Sequence, residues 1–518
     1  MVVPTEHWHQ TVQFPGRQKK SSNAVMKSGE LAVLSLFALS AFMSYVGLDG
    51  RWLVYFNIQN AAVYGGVLLW YAFAMTKRNR LSIWTAAFWF RVSAGVYYGF
   101  GCVYPYIAGS ETLRVILSVN IFDDHDLSKL ILINYVSTIA VILGIRFGFK
   151  DRPPRSRGSE RAGFNVYSER AAFWYGLGFL TVGACSRYAI YIPWQFGYFD
   201  TVVTGLVVTV SKSLYPGIYL LVRAGLQRKG FLLAFILAVV CFEFMVSVAT
   251  FSKTEVFLLF IFVFMAVANQ GAGVRAHITL LSAFILALSI LQPFVLYGRA
   301  EVVERFQGKA SLSDRLYITR EYWSGSASAL SGGQVQESML RLSYVNVSSL
   351  VVGWRDQGRS GDTLKYALAI FIPRVLWPDK PIISSIGTEL YSRARGHDGS
   401  SISAGLFAEA YWNFGWWGIP ILLVPAGFIM GLFSKFSISV MASGNWLYMP
   451  VVLLGVQMGL RTDGGLVADV LGAGWMAFII AVSLKVGALL VHKFTGLRLD
   501  IADESVAAVG RRRGYSGS

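Results

Sequence analysis

Long apolar stretches alternate with short polar segments along most of this 518-residue chain. A helix that crosses a membrane needs about 20 predominantly apolar residues. By that measure the pattern predicts twelve transmembrane helices, at residues 29–48, 56–75, 82–103, 129–147, 171–190, 202–222, 231–250, 255–269, 277–297, 416–434, 447–460 and 466–491. The chain is 54% hydrophobic and 14% charged, whereas soluble domains average about 25% charged residues. We therefore expect an all-α polytopic membrane protein.

The basic residues between these stretches predict an orientation. Lysine and arginine follow the even-numbered stretches, and the first 27 residues are also basic. Cytoplasmic loops carry an excess of Lys and Arg, so both termini are expected in the cytoplasm, and the net charge of +17 does not indicate nucleic-acid binding. The predicted regions are a cytoplasmic tail (1–28), nine transmembrane helices (29–297), a large external loop with short interfacial helices (298–403), three transmembrane helices (404–492) and a basic cytoplasmic tail (493–518).

Three charged residues lie inside the predicted transmembrane stretches. Arg91, Lys212 and Glu243 fall within the third, sixth and seventh stretch. Charges in such positions are costly and usually face the interior of the helix bundle. Two interpretations stay open for them: structural ion pairs, or a polar cavity that opens to the outer side. The cysteines have no metal-ligand spacing and are interpreted as packing residues: Cys102, Cys185 and Cys241.

Basic residues also gather on the outer side, against the usual bias. They come from the separate segments "TFSKTE", "LYGRAEVVER", "FIPRVLWPDKP" and "LRTDGG". The candidate anion-binding residues are Lys253, Arg299, Arg374, Lys380 and Arg461. A single such cation would be a lipid-headgroup contact. Several cations from separate segments favour one anionic ligand at the outer membrane surface.

A lipid-linked diphosphate is the anion that best fits this surface. Arginine binds phosphate in bidentate fashion, and lysine adds a point charge. If a sugar is transferred away from the diphosphate, the leaving group gains negative charge in the transition state, where fixed cations stabilise it. The cations can also replace a metal. The sequence contains no nucleotide-phosphate loop and no metal-ligand cluster, so no cofactor and no metal are predicted.

The remaining requirement is a base for the proton of the attacking sugar hydroxyl. Glu409 qualifies, because the aromatic residues of "GLFAEAYWNFGWWGIP" partly desolvate it and make it a better proton acceptor. His397, in "ARGHDGSS", is interpreted as an alternative base or as a surface histidine. Tyr411 and Trp412 are interpreted either as stacking platforms for sugar rings or as part of an interfacial aromatic belt.

The stretches "PRVLWPDKP" and "AEAYWNFGWWGI", separated by a Gly/Ser-rich segment, resemble the oligosaccharide repeat-unit polymerases of the O-antigen polymerase and ligase superfamily. The resemblance covers about residues 250–435 and is only topological before them. Arg374 and Lys380 match the basic positions of the family's Pro-Asp-Lys-Pro motif, and Glu409 matches the acidic position before the Asn-Phe-Gly turn. Relatives tend to carry an arginine where this chain has Lys253.

The resemblance implies a membrane glycosyltransferase with a GT-C-like fold in the bacterial inner membrane. Such enzymes make surface polysaccharides, including O-antigen and exopolysaccharide. At the periplasmic face they transfer the growing glycan from undecaprenyl diphosphate to a sugar hydroxyl of the next lipid-linked repeat unit, with inversion and without a metal. The implied partners are the lipid-linked donor and acceptor, membrane lipid, a chain-length regulator and a flippase, but no nucleic acid.

Three alternatives to a polymerase stay open. An O-antigen ligase relies on a His-Asn pair in the region where this chain has Glu409 and Ala410, which favours a polymerase. A polysaccharide transporter would explain the charges inside the apolar stretches but not the cation-rich external loop, and it often has paired halves, which the sequence does not show. The third alternative is a scaffold subunit of an envelope complex.

Overall fold

The computed structural model describes residues 28–107, 123–149, 166–199, 203–228, 230–268, 297–324, 343–372, 387–390 and 403–495, together with 279, 291, 293–295, 377 and 392. Within these residues every regular element is helical. The α-helices are α1 (Ser28–Gly47), α2 (Gly50–Arg78), α3 (Ala86–Ala94), α4 (Gly101–Ile107), α5 (Asp124–Phe149), α6 (Val166–Ser186), α7 (Ile192–Gln195), α8 (Gly205–Ser211), α9 (Leu214–Arg228), α10 (Phe231–Ala249), α11 (Lys253–Ala268), α12 (Leu312–Trp323), α13 (Val345–Asp356), α14 (Leu406–Phe414), α15 (Gly418–Ser443), α16 (Met449–Leu460) and α17 (Ala473–Thr495).

Short helices of two other types connect or interrupt them. The π-helical segments are Gly95–Phe100, Arg187–Tyr191 and Leu466–Gly472. The 3₁₀ helices are Arg80–Trp84, Thr363–Tyr366, Leu368–Phe371, Gly415–Trp417 and Trp446–Tyr448.

Six helical regions among the described residues are long and apolar enough to cross a membrane, judged by length and composition: Gly29–Gly47, Asp124–Phe149, Gly205–Leu226, Phe231–Ala249, Leu406–Ser443 and Leu466–Leu490. By helix length and composition, the structure confirms the predicted class, an all-α membrane protein. Eleven of the twelve predicted stretches coincide with helices, and most of the ninth, 277–297, lies outside the described residues. The number of spans and their orientation stay predictions.

Glycines allow the backbones of α5 and α15 to touch. A Cβ at Gly144 would overlap the carbonyl oxygen of Val424, and a Cβ at Gly427 would overlap the carbonyl oxygen of Val141. Small residues at helix crossings permit this close approach inside membranes. Gly415, with a φ of 62°, forms the turn from α14 into α15. The packing of α15 on α5 therefore also fixes the position of α14.

A second close crossing joins α6 to α9. A Cβ at Gly183 would overlap the backbone of Leu214, and a Cβ at Gly217 would lie 2.6 Å from the backbone nitrogen of Leu180. The π-helical segment that begins at Arg187 follows α6 directly. This crossing therefore brings Arg187 to the start of α9, near the break between α8 and α9.

A buried ion pair ties α1 to α3. Arg91 Nε lies 2.6 Å from Glu30 Oε1 and Arg91 Nη2 lies 2.8 Å from Glu30 Oε2. Arg91 is 0% exposed and Glu30 is 2% exposed. Of the two interpretations left open for Arg91, the structure supports the structural ion pair. The bidentate geometry satisfies both groups in a position where an unpaired charge would be costly.

Candidate functional site

The candidate site is built around the segment from Arg461 to Gly465, here called the 461–465 turn, which follows α16. The carbonyl oxygen of Thr462 accepts hydrogen bonds from the Leu406 N–H, at 3.0 Å, and from the Tyr98 hydroxyl. Thr462 also donates through Oγ1 to Ser93 Oγ at 3.1 Å. These contacts hold the turn against the start of α14, against α3 and against the π-helical segment that follows α3.

Glu409 reaches this turn from the first turn of α14. Its Oε2 accepts the backbone N–H of Leu466 at 2.7 Å, and the hydroxyl of Thr363 makes a second hydrogen bond to the carboxylate. Leu466 is the first residue of a π-helical segment, and the first N–H groups of a helix have no partner within it. The carboxylate therefore caps this segment. Glu409 is only 4% exposed.

Arg461 and Asp469 form an ion pair across the same turn. Arg461 Nη1 lies 2.7 Å from Asp469 Oδ1, and the arginine side chain is 55% exposed. Asp469 Oδ2 also accepts the Gly465 N–H at 2.9 Å. A Cβ at Gly464 would overlap this carboxylate, and a Cβ at Gly465 would lie 3.3 Å from Glu409 Oε2. The two glycines let both carboxylates approach the backbone of the turn.

A third carboxylate, Asp463, lies on the turn and is half-buried. Its Oδ2 accepts the hydroxyl of Tyr344 at 3.0 Å. Burial raises the pKa of Asp463 above its ordinary value, and Asp469 adds to this, while Arg461 and the Tyr344 hydroxyl act in the opposite direction. Asp463 stands in the quoted segment "LRTDGG" but was not a predicted site residue, and neither was Asp469. The signal for Asp469 is a carboxylate only eight residues beyond Arg461 at the edge of an apolar stretch.

The structure brings together two of the predicted site residues, Glu409 and Arg461. Arg299 lies elsewhere, where its Nε donates to the carbonyl oxygen of Phe251 at 2.8 Å. Lys253 begins α11 in the same connection, and its side chain lies outside the described residues. The other predicted site residues, Arg374, Lys380 and His397, also lie outside the described residues.

Tyr411 and Trp412 are packed within the protein, each 4% exposed. The Tyr411 hydroxyl donates to Asp356 Oδ1 at 2.8 Å, and Lys129 Nζ lies 5.2 Å from the centre of its ring. Trp412 Nε1 donates to the carbonyl oxygen of Arg359 at 3.1 Å. In this conformation both rings are packed against other residues, and their roles as stacking platforms or as part of an aromatic belt stay predictions. The exposed aromatic residues lie just beyond, at the junction of α14 and α15: Phe414, Trp416 and Trp417.

The part of the external loop just before Pro373 is helical. It forms two consecutive 3₁₀ helices, Thr363–Tyr366 and Leu368–Phe371. Leu368 is 77% exposed, and the ring centre of Phe371 lies 5.1 Å from that of Trp475 on α17. Thr363 connects this segment directly to Glu409, so the external loop contributes to the site.

A buried ion cluster lies in neighbouring helices. Arg187 Nη2 lies 2.7 Å from Glu243 Oε1 and 2.6 Å from Glu255 Oε2. The hydroxyls of Tyr188 and Tyr215 reach the Glu243 carboxylate at 2.5 and 3.4 Å. The three charged side chains are at most 6% exposed. Glu243 therefore has a structural partner, Arg187, which the sequence analysis missed because it lies near the end of an apolar stretch.

The three π-helical segments of the described chain all approach this region. Tyr98, in the first, binds Thr462. Arg187, in the second, interacts electrostatically with Lys212, and Lys212 interacts in turn with Arg461 and Asp469. The third contains Asp469 and follows the 461–465 turn. Local π-helical turns inside longer helices occur frequently at functional sites, and their convergence agrees with the placement of the site.

Among the residues described, no group of three or more His, Cys, Asp or Glu side chains could hold a metal ion. The polar groups that the described residues bring to the site are two cations, Arg461 and Lys212, with carboxylates from α14, the turn and the π-helical segment. Such an arrangement can bind an anion and accept a proton. In comparisons with known proteins, no family model, curated protein or solved structure matches this chain.

Proposed function

We propose that the chain polymerises lipid-linked oligosaccharide repeat units into a surface polysaccharide. It transfers the growing glycan from undecaprenyl diphosphate to a sugar hydroxyl of the next lipid-linked unit, at the periplasmic face of a bacterial inner membrane. The observation that carries the proposal is the meeting of Glu409 and Arg461 at one turn, although 51 residues separate them in the sequence. A proton acceptor and a phosphate-binding cation are the two groups that this reaction requires.

In the proposed reaction the hydroxyl oxygen of the acceptor sugar attacks the anomeric carbon of the donor. The bond from that carbon to the phosphate oxygen breaks, and its electron pair leaves with the diphosphate. Attack from the face opposite the leaving group inverts the anomeric carbon. Arg461, joined by Arg374 and Lys380 from the external loop, stabilises the charge that develops on the leaving group. Glu409 takes the hydroxyl proton.

Access to the base involves the external loop. Glu409 is nearly fully buried, and Thr363 holds its carboxylate from the loop side. We propose that the acceptor sugar displaces the 3₁₀ helix Thr363–Tyr366 and then takes the place of the Thr363 hydroxyl. Closure of this segment over the sugar would exclude water and so prevent hydrolysis of the donor.

The membrane arrangement in the proposal is the predicted one. It has twelve transmembrane helices, both termini in the cytoplasm, a large periplasmic loop and a GT-C-like fold. The alternation of basic segments supports it, as does the agreement of eleven predicted stretches with helices. The proposed partners are the lipid-linked donor and acceptor, a chain-length regulator and a flippase.

The test is chain growth by the purified protein. The protein in detergent or liposomes is incubated with lipid-linked repeat units, without nucleotide and with a chelator present. Products are then separated by length. A ladder of products spaced by one repeat unit is expected. If no ladder forms while the lipid-linked units stay intact, the polymerase proposal fails.

A transporter is the second candidate, because the buried cluster of Arg187, Glu243 and Glu255 lies among the apolar helices. Charged residues at membrane depth often mark transport pathways. The lipid-linked glycans that accumulate in cells lacking the protein distinguish the candidates. Loss of a polymerase leaves single repeat units on the carrier lipid, whereas loss of a flippase traps them on the cytoplasmic side. A ligase uses the same donor, and its loss leaves long chains on the carrier.

A further inference from the structure

Lys212 is a cation of this region that has no partner among the described residues. It lies in the apolar region Gly205–Leu226 and is half-buried, and its side chain makes no hydrogen bond or ion pair with any residue that the structure describes. Its electrostatic neighbours are two cations, Arg461 and Arg187, and two anions, Glu255 and Asp469. Each anion is already bound by another cation, Glu255 by Arg187 and Asp469 by Arg461. Lys212 is therefore the cation of this group whose side chain has no direct ion pair among the described residues.

The local backbone explains why Lys212 can face this cluster. Pro216 has no N–H, so the Lys212 carbonyl cannot accept the usual hydrogen bond from four residues ahead. It accepts instead from Tyr215, three residues ahead, at 3.1 Å. The helix is thereby interrupted between α8 and α9, directly at the lysine. The crossing of Gly183 over Leu214 holds this interruption against the end of α6.

An apolar groove begins at the same interruption. It has a volume of about 300 Å³, at the lower end of the range of about 300–1,000 Å³ that is usual for ligand clefts. Val210 and Ser213, on either side of Lys212, line it. The rest of the lining comes from Thr209 of α8 and from α6, α16 and α17, including Gly178 and Pro450. Pro450 lies at the start of α16, and at 1.5 Å per residue Arg461 lies about 16 Å further along the helix axis.

We propose that Lys212 and Arg461 together bind the phosphate groups of an amphiphile whose hydrocarbon chain lies in this groove. The inference rests on the proposed function, for which it names the diphosphate position and the path of the lipid chain. Lys212 has no direct ion pair and Arg461 is 55% exposed, so both cations can make direct contact with a further anion. The groove starts beside Lys212 and extends away from Arg461, which suits a ligand with a charged head and a long apolar tail.

The test measures binding and not polymerisation. The full-length protein is placed in phosphatidylcholine nanodiscs, which carry no net lipid charge, and three probes are compared: undecaprenyl diphosphate, undecaprenol and inorganic diphosphate. The wild-type protein is expected to bind undecaprenyl diphosphate at least about tenfold more tightly than either of the others, a difference of about 1.4 kcal/mol. Equal affinity for the lipid and for inorganic diphosphate would overturn the proposal, because the site would then bind a soluble anion.

Charge variants test the head of the ligand. Lys212→Met is expected to weaken binding of undecaprenyl diphosphate and of inorganic diphosphate by at least about tenfold, the loss expected when one charged hydrogen bond is removed. Lys212→Arg is expected to restore most of it. Lys77→Met, at the exposed end of α2, is the matched control. The proposal would be overturned if Lys212→Met bound undecaprenyl diphosphate as tightly as the wild type. It would also be overturned if Lys212→Met and Lys212→Arg were both stably folded and lost the same amount of affinity.

Groove variants test the tail. A Cβ at Gly178 meets no atom within 4 Å, so Gly178→Leu can fill the groove without disturbing its walls. This variant is expected to weaken lipid binding and to leave inorganic diphosphate binding unchanged. Gly66→Leu, at an equally open position on α2, is the control. Unchanged lipid binding by Gly178→Leu would overturn the proposal. If the protein binds undecaprenyl diphosphate as expected but forms no ladder, the proposed function fails and this inference stands. If the protein forms a ladder but Lys212→Met binds undecaprenyl diphosphate as tightly as the wild type, this inference fails and the proposed function stands.

Discussion

Replacement of Glu409 by glutamine separates its two proposed roles, as base and as cap. The amide oxygen of the new side chain could still accept the Leu466 N–H that Glu409 now binds at 2.7 Å, but the amide cannot take a proton. A neutral hydrogen bond replaces a charge-assisted one, which costs about 1 kcal/mol of folding stability. Loss of a general base lowers the rate by about 100- to 10,000-fold. We therefore expect Glu409→Gln to fold normally and to lose nearly all chain growth.

The alanine variant removes both the proposed base and the cap, whereas the glutamine variant keeps the cap. Glu409→Ala leaves the Leu466 N–H and the Thr363 hydroxyl without their acceptor in a buried place. Each unsatisfied group costs about 1–3 kcal/mol, so this variant should be clearly less stable than Glu409→Gln. Both variants should be equally inactive. The thermal unfolding midpoint of the detergent-purified protein measures the first difference, and the rate of ladder formation measures the second.

The control for this pair is Glu321→Gln, which alters a surface ion pair with Arg305 in the external loop. It should change neither rate nor stability appreciably, because exposed ion pairs contribute at most about 1 kcal/mol. A wild-type rate in Glu409→Gln would remove this residue from the reaction. A loss of activity that follows the loss of stability in both Glu409 variants would assign it a capping role only.

Four further predictions concern the charges around the site. Arg461→Ala is expected to lower kcat/KM by about 10- to 100-fold with little change in stability, because the side chain is 55% exposed; an unchanged kcat/KM would contradict this. Arg374→Ala is expected to abolish ladder formation in a protein that still inserts in the membrane, and residual wild-type growth would exclude a role in leaving-group binding. Burial raises the pKa of Asp463, so the ionised form costs stability above that pKa, and this cost disappears as the pH falls through it. Asp463→Asn should therefore unfold at a higher temperature than the wild type at neutral pH and lose this advantage in acid, and a difference independent of pH would refute the assignment. Arg187→Met leaves two buried carboxylates without a cation and should destabilise the protein by about 3–5 kcal/mol; denaturant unfolding measures this, and simultaneous replacement of both glutamates by glutamine should recover most of the loss.

The sequence predicted where the helices lie but not which way they face. The length of an apolar stretch is enough to predict a helix such as α10, even though only 17% of the residues in its most apolar part are buried inside the protein. Lipid is as apolar as a protein core, so the pattern of apolar residues cannot separate lipid-facing from protein-facing positions. Arg187 was not predicted to be buried, because it lies near the end of an apolar stretch, yet it is the centre of the buried cluster.

Only some residues of the candidate site could be predicted from the sequence. Glu409 and Arg461 stood out as charges at the ends of apolar stretches, and such charges gather where helix ends meet. Tyr411 and Trp412 carried the same apparent signal for sugar stacking, but the structure packs both rings inside the protein. An aromatic residue at a helix end can face the core or the surface, and only the α5–α15 crossing decides which. That crossing depends on glycines, which carry no side-chain signal of their own.

Under the proposed function, the charges around the 461–465 turn require the external loop to take part in substrate binding. The three carboxylates of the site outnumber its two cations, Arg461 and Lys212, so the described residues leave a net negative charge before any substrate arrives. A diphosphate would add more negative charge. The proposal therefore requires further cations, and Arg374 and Lys380 are the predicted ones in the loop. If these two cations bind the diphosphate together with Arg461 and Lys212, a bound donor favours closure of the loop, and donor binding and assembly of the site become one coupled event.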